Sequence, residues 1–476
     1  MTFGWVLSLV VPTVMGLLLT CVLWPPGKDF GKSLPVRVCL AVGVGLGISS
    51  CGFFVWRLAL GPPSSAYATA EVALLVCLGL ILGYRVLTRE TPSTPAPAAP
   101  ERETSGMTWL ALVAVVLLAL AGFLTLSMLN AMKPHGDWDA WVSWNLRAKF
   151  LVQGGDLWTR AFSPLVPRAC PDYPVLLPAL VARCWRYVGS DVLTVPILVA
   201  GCFMFGLVGI TSGALYLLRG GTQALLAAAV LLGTPFLLAH TASQYADVPM
   251  GFFFVSTVVL LSLAGRFGEA RHGLFALAGL TTGLAIFTKN EGLLFLLGLV
   301  LVGGVRLVRA HDRKAHLRLL GAFLAGLAPP LMLFVYFKAA VAPGANYMTR
   351  NLGAEQILAR CGDFSRYTFV TGAYLAQLFD VARWNALPLL LPFYFLLSGS
   401  GTDDRDRVAV RAGAWVLGVM LLGHFVIYLI TAEDIKWHVS YSIDRTLLQL
   451  WPTAVFTFFL AVRTPREAVA GTDPKR

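Results

Sequence analysis

The residues best placed to do chemistry are acids set beside aromatics and cations at the ends of apolar stretches. His135-Gly136-Asp137-Trp138-Asp139-Ala140-Trp141 holds two carboxylates within three positions, framed by tryptophans, just after a long apolar run. Asp139 is the foremost candidate for an acid/base group and Asp137 its competitor, since a positioned carboxylate can orient or deprotonate a hydroxyl. Cys170-Pro171-Asp172-Tyr173-Pro174 offers Asp172 in a proline-broken segment, and Gln244-Tyr245-Ala246-Asp247-Val248-Pro249 sets Tyr245 and Asp247 where another apolar run begins. Lys289-Asn290-Glu291-Gly292 places a cation and an anion between two apolar runs. Residues 433–445 crowd Glu433, Asp434, Lys436, His438, Tyr441, Asp444 and Arg445 together, and in a helix His438, Tyr441, Ser442 and Arg445 share a face. Arg147, Lys289, His438 and Arg445 are the cations able to neutralise negative charge developing on a leaving group.

Each group also has a plainer reading. Asp247 suits a helix cap, Lys289 and Glu291 a turn salt bridge, and Asp137 and Asp139 a solvated face. His240 and His424 read as packing or interfacial residues. No Walker loop, dinucleotide fingerprint, GxSxG elbow or HExxH pair occurs, so a soluble nucleotide cofactor is not indicated. Five of the eight cysteines lie in apolar runs, and no CxxC or His/Cys ligand spacing suggests zinc. Cys170, Cys184 and Cys361 fall in expected loops, where a Cys170–Cys184 or Cys170–Cys361 bridge is an option.

The elements that must position these groups follow from composition. The 476 residues are 57% hydrophobic and only 13% charged, with a mean hydropathy of +0.72, whereas a soluble domain carries about 25% charged residues. Apolar runs of roughly 20 residues, enough to cross the hydrocarbon core as helices, recur throughout. An all-α polytopic integral membrane protein is expected, with about thirteen transmembrane helices near 4–24, 36–58, 67–87, 107–130, 191–217, 223–240, 248–265, 273–288, 292–309, 319–341, 384–399, 408–431 and 446–462. With the N-terminus outside, the inner connections hold 21 of the 37 basic residues, from Lys28, Lys32 and Arg37 to Lys475 and Arg476. The positive-inside rule favours that orientation, and the net charge of +12 is then topological and not a nucleic-acid footprint. All the chemistry-bearing clusters map to the outer side, where ionisable groups at membrane depth normally line a cavity.

Residues 88–106, with Pro92, Pro95, Pro97 and Pro100, read as a cytoplasmic linker. They divide a three-span unit, 1–87, from a membrane core, 107–462, that ends in a cytoplasmic tail, 463–476. Two outer loops, 131–190 and 342–383, are long enough to carry structure of their own. In the first, Trp141, Trp144, Ala148 and Leu151 form an apolar stripe suited to interfacial helices, with Asp139, Ser143 and Arg147 opposite.

Asp137-Trp138-Asp139-Ala140-Trp141, followed by Asn145-Leu146-Arg147-Ala148, resembles the first-loop acidic motif of the GT-C superfamily of membrane glycosyltransferases. The Tyr245-Ala246-Asp247-Val248-Pro249 and Lys289-Asn290-Glu291-Gly292 motifs resemble its bacterial branch, related to protein O-mannosyltransferases and aminoarabinose transferases. The resemblance covers residues 107–460. It implies a transferase of the bacterial cytoplasmic membrane that takes a sugar from a polyprenyl-phosphate donor and delivers it, with inversion, to an envelope lipid, glycan or protein outside. It also implies Asp139 as the acid/base group and Asp247 as a second carboxylate near the acceptor. Lys289, Arg147, His438 and Arg445 would hold the carrier phosphate, with Glu291, Asp172 and Tyr245 lining the substrate site. The chain has Asp-Ala where mannosyltransferases have Asp-Glu, and it lacks the large outer domain of some relatives. A divalent cation is compatible with the resemblance, with no ligand set identified. The alternatives are a polysaccharide polymerase or ligase using polyprenyl-linked sugars, and a lipid or sugar transporter or flippase. The transporter is disfavoured because no internal repeat is visible and the acids lie to one side of the membrane, not at its midplane.

Overall fold

The computed structural model describes residues 2–25, 30–88, 106–166, 169–267, 271–342 and 353–470. Within them the chain is helical and holds no β-strand. The helices before the first long loop are α1 (Thr2–Leu23), α2 (Phe30–Ala59), α3 (Ser65–Thr88) and α4 (Gly106–Met132). That loop carries a π turn (Ala140–Trp144), α5 (Asn145–Gln153), a 3-10 segment (Gly155–Phe162) and α6 (Leu176–Val188). The central helices are α7 (Thr194–Leu218), α8 (Gly221–Leu232), α9 (Pro235–Ala242), α10 (Asp247–Ala264), α11 (His272–Thr288), α12 (Glu291–Val308) and α13 (Arg313–Ala340). The second long loop contributes α14 (Ala354–Gly362), α15 (Phe364–Leu378) and α16 (Val381–Trp384). Then follow α17 (Leu387–Ser398), α18 (Asp404–Ile430), α19 (Ile435–Ala461) and α20 (Pro465–Ala470).

Among the described residues nine helices are long and apolar enough to cross a membrane, and ten if α8 and α9, bent by 57° at their break, form one span. The chain is a multi-pass membrane protein. The other stretches expected to span are helical but depart from a plain span. Helix α11 has 17 residues, α17 has 12, and α19 runs through 27 with its charged residues in the first half. The expected linker 88–106 lies almost wholly outside the described residues, as do Lys28, residues 343–352 of the second loop, and the tail beyond Ala470.

Helices α1 and α2 pack directly against later helices. Phe53 and Phe54 of α2 are fully buried, and small residues let α2 approach its neighbours closely. A Cβ at Gly43 would collide with the Phe252 ring and one at Gly47 with Leu284, so α2 lies directly against α10 and α11. The Ser50 hydroxyl donates to the Leu176 carbonyl at 2.5 Å. Helix α3 is apolar and outward-facing except at Tyr67 and Glu71. Glu71 receives Arg183 of α6 in a fork, Nε and Nη2 both at 2.8 Å, and also the hydroxyls of Tyr67 (2.7 Å) and Tyr187 (2.5 Å).

A buried pair of this kind is costly to break from one side. Glu71→Ala, which strands the Arg183 guanidinium, is expected to cost about 3–5 kcal/mol. Adding Arg183→Met should recover at least half of that loss, because no uncompensated charge remains. Thermal unfolding of both variants in detergent checks this; equal destabilisation by the single and double variants would refute it.

The second loop packs over the junction of α18 and α19. Val370 of α15 is buried with Tyr428, Leu429, Val439 and Ile443, and Arg360 and Arg366 donate to the Ile430 (2.9 Å) and Leu429 (2.6 Å) carbonyls that α18 leaves free. At the opposite end of the bundle Arg266 pairs with Asp406 (2.6 Å) and Arg219 with Glu467 (3.0 Å). The basic connections thus gather at one end and the candidate site at the other.

Candidate active site

The site is built where α9, α10, α12 and α19 meet the start of the first long loop. Helix α10 opens on Asp247, in the first turn, where the helix dipole favours a carboxylate. Helix α11 stops at Thr288, Lys289 turns into extended backbone, and Gly292 lets α12 start tight against Ile286. Lys289 Nζ thereby reaches Asp247 Oδ1 at 3.0 Å and Glu291 Oε1 at 2.7 Å. Arg445 and Gln449, one turn apart on α19, both face Asp247. Gln449 Nε2 donates to Oδ1 at 2.6 Å and Arg445 Nε to Oδ2 at 3.0 Å. His240, carried in by the bend between α8 and α9, places Nε2 3.1 Å from the same Oδ2. Asp247 is fully buried and holds four hydrogen-bonding partners.

Asp139 is held differently. Arg445 Nη2 donates to its Oδ2 at 2.7 Å, so a single guanidinium bridges Asp139 and Asp247. The Asp139 side chain keeps 24% of its surface open, and its backbone N–H donates to the Tyr245 hydroxyl at 3.3 Å. The Tyr245 ring lies beneath the Arg445 guanidinium, 4.7 Å from its centroid. The approach depends on Gly136, whose φ of +72° and missing Cβ let the chain pass the Ser243 carbonyl and the Gln244 side chain. Gln244 itself is left-handed (φ 58°). Its side chain accepts from Asn145 (3.1 Å) and donates to the Pro134 carbonyl (3.2 Å), ties that hold so unfavourable a backbone in place.

A cavity of 290 Å³ opens beside this cluster, with Asp137, His240, Tyr245, Tyr441, Asp444 and Arg445 in its wall. Asp137 is exposed and pairs with Lys133 at 3.2 Å. Asp444 is tied to Arg383 of α16 at 3.0 Å. Comparison with protein-family models, curated proteins and solved structures finds no significant match. Function therefore has to be argued from this geometry.

The expected residues divide. Asp139, Asp247, Tyr245, Lys289, Glu291 and Arg445 come together as one network, with Asp137 at the rim of the cavity. Asp172 sits behind Lys289, receiving Asn290 Nδ2 at 2.9 Å, while Lys338 of α13 donates to its carbonyl oxygen at 2.5 Å and approaches Oδ2 at 3.4 Å. Tyr173 places its ring 5.4 Å from Lys289 Nζ.

Two expectations are corrected. Arg147 is not on a polar face with Asp139. The π turn, closed by Asn145 N–H donating to the Ala140 carbonyl, advances less per residue than an α-helix and rotates everything after it. Arg147 is 1% exposed and clamps the carbonyls of Ala169, Cys170 (2.6 Å) and Tyr173 (3.4 Å). Burial lowers its pKa to about 10, so it remains a cation at neutral pH. The same rotation buries Trp144, Ala148 and Leu151, with Trp144 stacked on Tyr173 at 5.9 Å, and leaves only Trp141 of the expected interfacial stripe outside. His438 is the second correction. Its Nδ1 lies 2.8 Å from Thr431 Oγ1 and its ring packs edge-on against Tyr428, so it is held away from the Asp247 network although it shares a helical face of α19 with Tyr441, Ser442 and Arg445.

His240, Gln449 and Lys338 belong to the network and were not singled out as site residues. Only Gln449 carried a signal, its i, i+4 spacing from Arg445. No disulfide forms among Cys170, Cys184 and Cys361, and Cys184 is buried within α6, not in a loop. Among the described residues no three His, Cys, Asp or Glu side chains converge as metal ligands.

Burial, reinforced by the Asp139 and Asp172 charges, pushes the Cys170 thiol up to about 11. The thiolate is the reactive form, so a maleimide at pH 8 should leave Cys170 unmodified while labelling exposed Cys361. Labelling of Cys170 should rise only as pH approaches that value. Peptide mass mapping reads the result, and equal labelling of the two at pH 8 would overturn it.

Proposed function

We propose that this chain is an inverting membrane glycosyltransferase that takes a sugar from a polyprenyl-phosphate donor and passes it to an envelope acceptor on the outer face. The observation that carries the reading is Asp139, a partly open carboxylate oriented by the guanidinium of Arg445, which lines the cavity and whose other edge is fixed on buried Asp247. In the proposed step Asp139 takes the proton from an acceptor hydroxyl as that oxygen bonds to the anomeric carbon. The bond from that carbon to the phosphate oxygen breaks, and its electron pair leaves with the polyprenyl phosphate. Attack from the face opposite the leaving group inverts the centre.

The cations available for the phosphate differ from those first expected. Arg147 and His438 are occupied elsewhere, and Arg445 is shared between two acids. Lys338, 29% exposed at the Asp172 side of the cluster, is the most accessible, with Lys289 behind it. Asp247 then serves to fix Arg445 and Lys289. It is already saturated with donors and closed to solvent, which suits a positioning residue more than a base. The basic connections at the opposite end support an outward-facing site by the positive-inside rule.

Mass spectrometry of polyprenyl phosphates and envelope components, from cells with and without the chain, tests this. Without the chain, a sugar-loaded carrier should accumulate and one envelope product should lose that sugar. Movement of a lipid or sugar across sealed vesicles with no change in covalent mass would overturn the reading in favour of a transporter.

A further inference from the structure

Resting on the transferase reading, we infer that the cavity lined by Arg445, the partner of Asp139, is an acceptor subsite for a neutral carbohydrate, with Tyr441 as its stacking platform. At 290 Å³ the cavity lies at the small end of ligand pockets, which run from about 300 to 1,000 Å³. Its wall mixes two kinds of group. Asp137, Asp444, Ser243 and Ser440 supply oxygen atoms, and Phe236 and Tyr441 supply rings. A sugar presents the matching pair of surfaces, hydroxyls around its edge and a C–H face. Ionised carboxylates only accept hydrogen bonds, so Asp137 and Asp444 select a ligand rich in hydroxyl donors. The negative face of an aromatic ring suits the weakly positive C–H face.

Charge narrows the class. The only arginine in the wall, Arg445, is committed to Asp139 and Asp247. Asp137 and Asp444 are already paired with Lys133 and Arg383, so the wall is charge-balanced and offers a phosphate-bearing acceptor no uncommitted cation. Tyr441 is built for contact. It is 56% exposed although it lies in the cavity wall, and Trp437, one turn earlier on α19, backs it at 5.4 Å. Its hydroxyl has no structural task that would explain the position, and its ring packs little of the core.

The test uses cells producing the full-length chain, its Tyr441→Ala variant or its Tyr441→Phe variant, with membrane levels matched by immunoblot. Envelope glycan, lipid and protein fractions are separated and weighed by mass spectrometry for the added sugar. The expected result is addition in the glycan fraction, lowered at least tenfold by Tyr441→Ala and restored by Tyr441→Phe. Addition to protein or lipid alone would overturn the inference and leave the transferase reading intact. So would an unchanged glycan product in Tyr441→Ala, the outcome expected if the ring is only an interfacial anchor. Absence of added sugar from every fraction with the unaltered chain would remove the transferase reading and this inference together.

Discussion

Asp139→Asn should lower sugar transfer by about 10²–10⁴-fold, the contribution of a positioned general base, while the protein stays folded and still binds polyprenyl phosphate. Asparagine keeps the shape of the side chain, and its carbonyl oxygen can still accept from Arg445 Nη2, which now sits 2.7 Å from the carboxylate. What is lost is the capacity to take up a proton. Asp137→Asn should lower transfer by no more than about tenfold, the loss of one hydrogen bond to the acceptor, because Asp137 lines the rim and pairs with Lys133, not with Arg445. Transfer by the two purified variants in proteoliposomes decides between the acids. A near-normal rate for Asp139→Asn would remove it from the chemistry, and collapse of Asp137→Asn alone would move the role there.

Asp247→Asn should act first on the fold. Its carboxylate is fully buried and is one of two anionic partners of Lys289, with Glu291, and one of two of Arg445, with Asp139. Removing one side of such a buried network costs about 3–5 kcal/mol, since the remaining charges lose their compensation. The variant should unfold at a clearly lower temperature in detergent. Whatever folded protein remains should transfer poorly, because Arg445 is no longer fixed at its second edge. Normal thermal stability together with abolished transfer would contradict this, and would make Asp247 the base.

Much of the architecture could be read from the residues because membrane crossing imposes a length and an apolarity that composition displays directly. The acids and cations of the network were legible for the same reason: Asp139, Asp247, Lys289, Glu291 and Arg445 interrupt or end apolar runs, where a charge needs a purpose. Partnerships were harder to see. His240 meets Asp247 only because α8 and α9 bend at Gly233 and Thr234, and apolar periodicity does not announce that bend. Glu71 and Arg183 lie 112 positions apart, on helices that looked unrelated. Arg147 was misplaced by a local cause, since one π turn shifted the phase of every later residue. The outward α3 and the buried α2 have similar composition, and only packing tells them apart.

The guanidinium that spans Asp139 and Asp247 also bears on how the protein is made. Arg445 and Gln449 arrive on α19, and the Asp139–Arg445 bond spans 306 positions. A growing chain folds from its N-terminal side. Asp247 can meet His240 and Lys289 early, but Asp139 must wait for α19 to be inserted. The candidate site is therefore closed by a helix made long after the loop that opens it. A polypeptide cut short before α19 could seat most of its helices in the bilayer and still be without a site. Assembly of the candidate site is, in this molecule, a late step relative to insertion of the helices that begin it.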